Sequence, residues 1–208
     1  MLPMAPRSPA IIALPRVAEY LAPLPAGVAS YPQCVAKGAL LRRALGQRPL
    51  TRDHVLALPK VLRELVACPP LDGESVPDVW LAGVLLAIAD AYEMTDEEYL
   101  DWIRNLNSTM FNTLFRILMK AVSPDHLMRR AAEKWKVFHR GSSLAIVEHT
   151  HGRCVAQLTF PHLLFHGLAL RQFAPVFEAA LQRCDPRGRV ELGSYDPTQA
   201  LFVARWRA

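Results

Sequence analysis

The chain has 208 residues, 51% hydrophobic and 21% charged, enough for one generous core and cramped for two full domains. Its formal charge is +5 with a pI near 9.2. The arginines are scattered, however: the densest groups are Arg42-Arg43 and Arg129-Arg130, no aromatic stripe accompanies them, and nucleic-acid binding is not expected.

Residues 1–30 form a proline-rich lead, with prolines at 3, 6, 9, 15, 23 and 25 and at most one short helix near Arg16–Leu21. Those prolines interrupt the apolar helical stretch that a secretory signal needs. "CVAKGALLRRALG" alternates apolar and basic positions at helical spacing, with Gly46 as a natural stop. "RDHVLALPKVLRELVA" (52–67) repeats the pattern, and Pro59 should kink or split it. "PDVWLAGVLLAIADAY" opens near Pro77 and is apolar almost all round, so it belongs at the centre. Its uncharged run, 79–89, is too short to span a bilayer.

"TDEE" (95–98) is a capping box that opens an amphipathic helix expected to reach about residue 121, with Asn107-Ser108 able to re-cap it midway. Tyr99, Ile103, Leu106, Met110, Leu114, Ile117 and Ala121 form its apolar stripe. Trp102, Phe111 and Phe115 lie off that line and widen the apolar face. Ser123 caps a further helix with Pro124 at its first position, and after Trp135 the period changes to that of strands. "SSLAIVEHTHGRCVAQLTF" reads as a hairpin, "QFAPVFEAALQRC" as a helix with Pro175 in its first turn, and "RVELGSYDPTQALFVARW" as a second hairpin turning at Asp196-Pro197. The expected fold is α+β: a single domain over 31–208, with N-terminal helices packed on a small C-terminal antiparallel sheet of order β-β-α-β-β.

Chemistry is sparse. With His151-Gly152 as a two-residue turn, Thr150 faces Arg153, His149 faces Cys154, Val147 meets Ala156 and Ala145 meets Leu158. A cross-strand His–Cys pair can hold two zinc ligands and His151 could add a third, but no second ligand cluster accompanies them. We therefore read the tip as an ordinary hairpin and expect no metal. "HLLFH" places His162 and His166 at i, i+4, and His166 in an apolar setting is a conceivable axial haem ligand. No GxSxG, HExxH or phosphate-cradling glycine loop is present, and enzyme activity is not expected. Four widely spaced cysteines (Cys34, Cys68, Cys154, Cys184) without a CxxC pair fit reduced thiols in a cytoplasmic protein.

"VAKGALLRRALG" (35–46), "VPDVWLAGVLLAIADAYEMTDEEYLDWIRNL" (76–106), "RRAAEKWKVFHRG" (129–141) and "ALFVARW" (200–206) resemble a myxobacterial paralogous family of unknown function. That family in turn is similar to 4-vinyl reductase-type domains, small TRAPP subunits and haem-nitric-oxide-binding domains. The resemblance implies helices set against an antiparallel sheet, with an apolar ligand, acyl chain or haem between them. This sequence lacks the Tyr-x-Ser-x-Arg haem-propionate motif of the nitric-oxide sensors. The expected function is a cytoplasmic, bacterial, non-enzymatic sensing or adaptor domain. It would bind a small apolar molecule at the helix–sheet interface, lined by Trp102, Phe111, Phe115, Met119, Phe138 and Phe165, or a protein partner there. Two alternatives stand beside it: a haem or metal sensor using His166, or His149 with Cys154, and a structural module that dimerises through the 95–121 helix. The cofactor, if any, is open.

Overall fold

Prolines set several boundaries in the first half of the chain. The computed structural model describes residues 12–110 and 123–207. Pro15 opens α1 (Pro15–Leu21), where a missing N–H costs nothing. A 3-10 turn at Gly27–Ala29 leads into β1 (Val35–Lys37). The helix expected over 35–46 thus begins as a strand, burying Ala36, and α2 (Ala39–Gln47) starts only after Gly38. A Cβ on Gly38 would stand 2.7 Å from Cγ of Pro70, so the chain can pass there only as glycine. Gly46 does not stop α2, which runs to Gln47 with Arg48 as its cap. Pro59 does split its segment, into α3 (Arg52–Ala57) and α4 (Lys60–Ala67).

After β2 (Ser75–Pro77) comes α5 (Asp78–Ala91), buried nearly all round. Leu62 of α4 fills the space at Gly83, its Cδ1 lying 2.8 Å from where a Cβ would be, so Gly83 leaves no room for a ligand. The Thr95–Glu98 capping box is formed: the Thr95 amide donates to Glu98 Oε2 (2.8 Å) and the Glu98 amide to Thr95 Oγ1 (3.2 Å). It opens α6 (Asp96–Met110), which buries Tyr99, Ile103 and Leu106 as the stripe requires. Asn107 does not re-cap the helix; its Nδ2 donates back to the Ile103 carbonyl within it. The rest of the expected 95–121 helix, including Phe111, Phe115 and Met119, lies outside the described residues.

Helix α7 (Pro124–Phe138) is capped by Ser123 and continues three residues past Trp135 before β3 (His139–Arg140). Strands β1, β2 and β3 form an antiparallel sheet of order β2-β1-β3, which the sequence reading did not foresee. Strands β4 (Ser143–Thr150) and β5 (Arg153–Thr159) form the first expected hairpin, and β6 (Arg189–Tyr195) and β7 (Gln199–Arg205) the second. Between them lies α8 (Gly167–Leu181), and the four strands pair in the order β4-β5-β7-β6. The β-β-α-β-β end and the α+β class are therefore as expected. Helix α8 starts earlier than its sequence suggested, which places Pro175 in its interior. The lost amide leaves the Arg171 carbonyl without its helical donor, and burial of Leu170, Phe173 and Ala174 carries the helix through.

The first hairpin keeps the expected pairs Thr150–Arg153 and His149–Cys154, but a bulge at Val147 then shifts the register. Ile146 meets Ala156 and Leu144 meets Leu158, in place of the expected Val147–Ala156 and Ala145–Leu158. One extra residue turns the strand over. Leu144 is buried beneath the helices, and Val147 is 52% exposed.

Leu14, Val17, Tyr20 and Leu24 join the same core as the sheet residues Leu158 and Phe202. The Tyr20 hydroxyl donates to the Leu164 carbonyl and that of Tyr31 to the His162 carbonyl, which ties residues 12–31 to the loop before α8. Among the described residues no helix is long and apolar enough to cross a membrane.

Candidate ligand site where the helices meet the sheet

The loop 160–166 joins β5 to α8 and is pinned on the β6–β7 turn: the Phe160 amide donates to Thr198 O and the Leu163 amide to Pro197 O. "HLLFH" is therefore a turn, with Leu163 at positive φ, and not a helix. His162 is exposed, while His166 is the N-terminal cap residue of α8, so the two imidazoles share no helical face.

His166 is largely enclosed. Its ring centroid lies 4.9 Å from that of Tyr20, tilted by 52°. Its Nε2 is buried and meets no hydrogen-bond partner among the described residues. Burial pushes its pKa down to about 4, against an opposing pull from the Asp96 carboxylate, so the imidazole is neutral at physiological pH. Around it, Tyr99 donates to Gln172 Oε1 (2.6 Å), and Arg171 pairs with Asp96 (2.9 Å). Arg16 reaches Asp90 at 3.5 Å and Asp96 at 3.6 Å. These contacts lock α1, α5, α6 and α8 together beside the imidazole.

Phe165, the neighbour of His166, is buried edge-to-face against Phe160 and Phe173, both at 5.1 Å. Ring contacts continue from Phe173 to Trp135 (5.4 Å) and Phe177, and from Phe177 to Phe202 on the sheet (5.0 Å). Side chains thus fill the α8–sheet interface.

The described members of the expected lining do not converge. Trp102 borders a cleft of about 320 Å³ with Arg48, Tyr92, Glu98 and Asp101, in which the Arg48 guanidinium lies 4.9 Å from the Tyr92 ring. Trp102 itself is buried and donates to Gln47 Oε1 (3.2 Å). Phe138 is half-buried and borders a second cleft of about 250 Å³, beside β1 and β3. Only Phe165 adjoins the imidazole.

His149 faces a fully buried Cys154, as the register required. The carboxylate of Asp125, at the start of α7, lies 3.4 Å from His149 Nε2 and 3.8 Å from His151 Nδ1. Among the described residues no group of three or more His, Cys, Asp or Glu is placed to hold a metal ion. Burial pushes the Cys34 and Cys154 thiols up to about 11, the wrong direction for a thiolate nucleophile.

The sequence reading missed one polar pair altogether. His139 stacks on Trp135 (4.1 Å, 10°) and its Nδ1 lies 3.2 Å from Oδ1 of the buried Asp78, whose Oδ2 has no partner among the described residues. The residues are 61 apart, and only the unforeseen β2-β1-β3 sheet brings them together.

Helices at one end, a four-stranded antiparallel sheet at the other and a histidine at the seam can be compared with known folds. The chain is similar in fold to the H-NOX protein from K. algicida. In the Fe(II) unliganded form of that protein the match has a TM-score of 0.55 at 12% identity, over 83% of this chain and 97% of the other. A single-residue mutant of it gives 0.56 over the same shares at 12% identity. A third structure, from work on haem redox potential and porphyrin distortion, gives 0.51 at 9% identity, over 82% of this chain and 99% of that one. No family model matches the sequence, and no curated protein matches it. At these identities the likeness is one of fold. It agrees with the haem-nitric-oxide-binding-like part of the sequence resemblance, and the other resemblances rest on their motifs alone.

Proposed function

We propose that this chain is a non-enzymatic, cytoplasmic sensory domain. It takes a small, largely apolar ligand at the seam between helices and sheet, with His166 as the polar group that meets it and Phe165 beside it. Phe111, Phe115 and Met119, outside the described residues, remain in the proposed lining, whereas Trp102 and Phe138 stand at separate clefts. The buried, unpartnered Nε2 of His166 carries the reading. A buried polar nitrogen without a partner costs about 1–3 kcal/mol. A ligand that donates to it, or coordinates through it, recovers that cost.

Haem is the specific case to which the fold likeness points. A neutral imidazole whose Nε2 meets no partner among the described residues fits an iron ligand, and His166 would hold the haem iron. When bound, the group would supply an iron centre with a further coordination position. Propionate recognition would fall to residues other than the missing Tyr-x-Ser-x-Arg motif, and Arg16 and Arg171 are already paired with carboxylates.

Native mass spectrometry after gentle purification, with absorbance during haemin and acyl-chain titrations, tests the reading on the wild type and on His166→Leu. Added mass or a ligand-induced rise in melting temperature, weakened by the substitution, is expected. A Soret band that His166→Leu shifts selects haem. A bare mass and no response to either titrant overturn the reading, and a dimerising or adaptor module then takes its place.

A further inference from the structure

The outer face of the β2-β1-β3 sheet gathers cations. Lys37 stands opposite Ser75 and Val35 opposite Arg140, and directly paired residues share a face. That face lies opposite the buried Ala36 and Val76. The last turn of α7 adds Lys136 and Phe138 to a cleft of about 250 Å³, which His139 also borders, although its pairing with Ala36 puts it on the inner face. Lys37 Nζ donates to the Gly73 carbonyl (2.9 Å) and Arg140 Nη2 approaches Ser75 Oγ (3.4 Å), both neutral acceptors.

Among the described residues none of Lys37, Lys136 and Arg140 forms an ion pair. Of the nearby acids, Asp72 pairs with Arg42 and Glu133 with Arg130, while Glu74 accepts from the Leu71 amide and Asp78 lies beside His139. The residues whose side chains are not described include no aspartate or glutamate. Lys136 is explained as a cation at a helix C-terminus, but Lys37 and Arg140 sit on strands. Three like charges around a concavity raise its potential and concentrate anions there.

We propose that this cleft binds the phosphate group of a small molecule. Arg140 offers a planar fork of donors, Lys37 and Lys136 offer point charges, and the Ser75 hydroxyl adds a neutral donor. Phe138 supplies an apolar wall for the organic part. The volume lies just below that of sites for drug-sized ligands, which restricts the occupant to a phosphorylated compound of few atoms. The proposal is independent of any ligand at His166.

Isothermal titration of the full chain with pyrophosphate tests it, on the wild type, on Lys136→Ala and on the pair Lys37→Met with Arg140→Met. Melting curves check that each variant is folded; Lys136 is exposed, so its variant keeps the test decisive if the pair fails to fold. We expect saturable binding that weakens as salt rises and falls at least about tenfold in the variants, each charged hydrogen bond lost costing about that factor. No saturable heat, or an affinity that neither variant changes, overturns the proposal. So does binding of phosphatidylserine vesicles or a single-stranded oligonucleotide through these residues without binding of pyrophosphate.

Discussion

The imidazole of His166 takes up its proton at different pH in the folded and unfolded chain. Unfolded, it protonates near pH 6.5; folded, only near 4, because burial disfavours the charge. Between those values the unfolded chain binds more protons, so stability falls as pH drops from about 6.5 towards 4, by up to about 1.4 kcal/mol per pH unit from this group. Urea melts at pH 7.5 and 5 should show the loss, and His166→Gln should shrink it; an equal loss in the variant would place the titrating group elsewhere. Trp135 is the second residue on which much depends. It is buried, stacked on His139, edge-to-face with Phe173, and its Nε1 donates to Ser142 Oγ (3.1 Å). Trp135→Ala should cost about 3–5 kcal/mol in denaturant melts. An unchanged midpoint would contradict that packing.

At the scale of elements, the bulge in β4 makes a prediction that the unbroken register reverses. Val147 faces solvent, and Ile146 packs against the core. Val147→Lys should stay within about 0.5 kcal/mol of the wild type, whereas Ile146→Lys should cost more than about 1 kcal/mol. Comparative thermal melts decide it, and the opposite ranking would mean a continuous ladder. The same strand shows what was legible in the sequence. The His151-Gly152 turn and the His149–Cys154 pair follow from turn chemistry alone. Nothing local announces an extra residue five positions upstream, because only burial against α7 selects the face. Pro59, Pro124 and the Thr95–Glu98 box were readable because their effects are local. The strands β1, β2 and β3 were not, since two or three residues carry no period. With them went the His139–Asp78 pair and the cluster of Lys37 with Arg140. Five of the six expected lining residues are aromatic, and ring size does not distinguish a ring packed in the core, as Phe165 is, from one beside a surface cleft.

For the molecule as a whole, the N-terminal segment is structural. Leu14, Val17, Tyr20 and Leu24 are each less than 10% exposed. Burying four such side chains contributes on the order of 6–12 kcal/mol, comparable with the whole net stability of a domain. A chain beginning at residue 26 should therefore lose its cooperative thermal transition. Retention of a sharp transition near the wild-type midpoint would support a domain that begins at residue 31.

Tyr20 lies against the His166 ring, and its hydroxyl is anchored on the carbonyl of Leu164, two residues before that histidine. A ligand of the proposed kind that moves the imidazole would therefore work against α1. Linkage makes that relation mutual: whatever clamps or releases α1 must change the ligand's affinity by the factor with which the ligand clamps or releases α1. A readout domain or partner that grips the first helix would thus report on the seam without touching it.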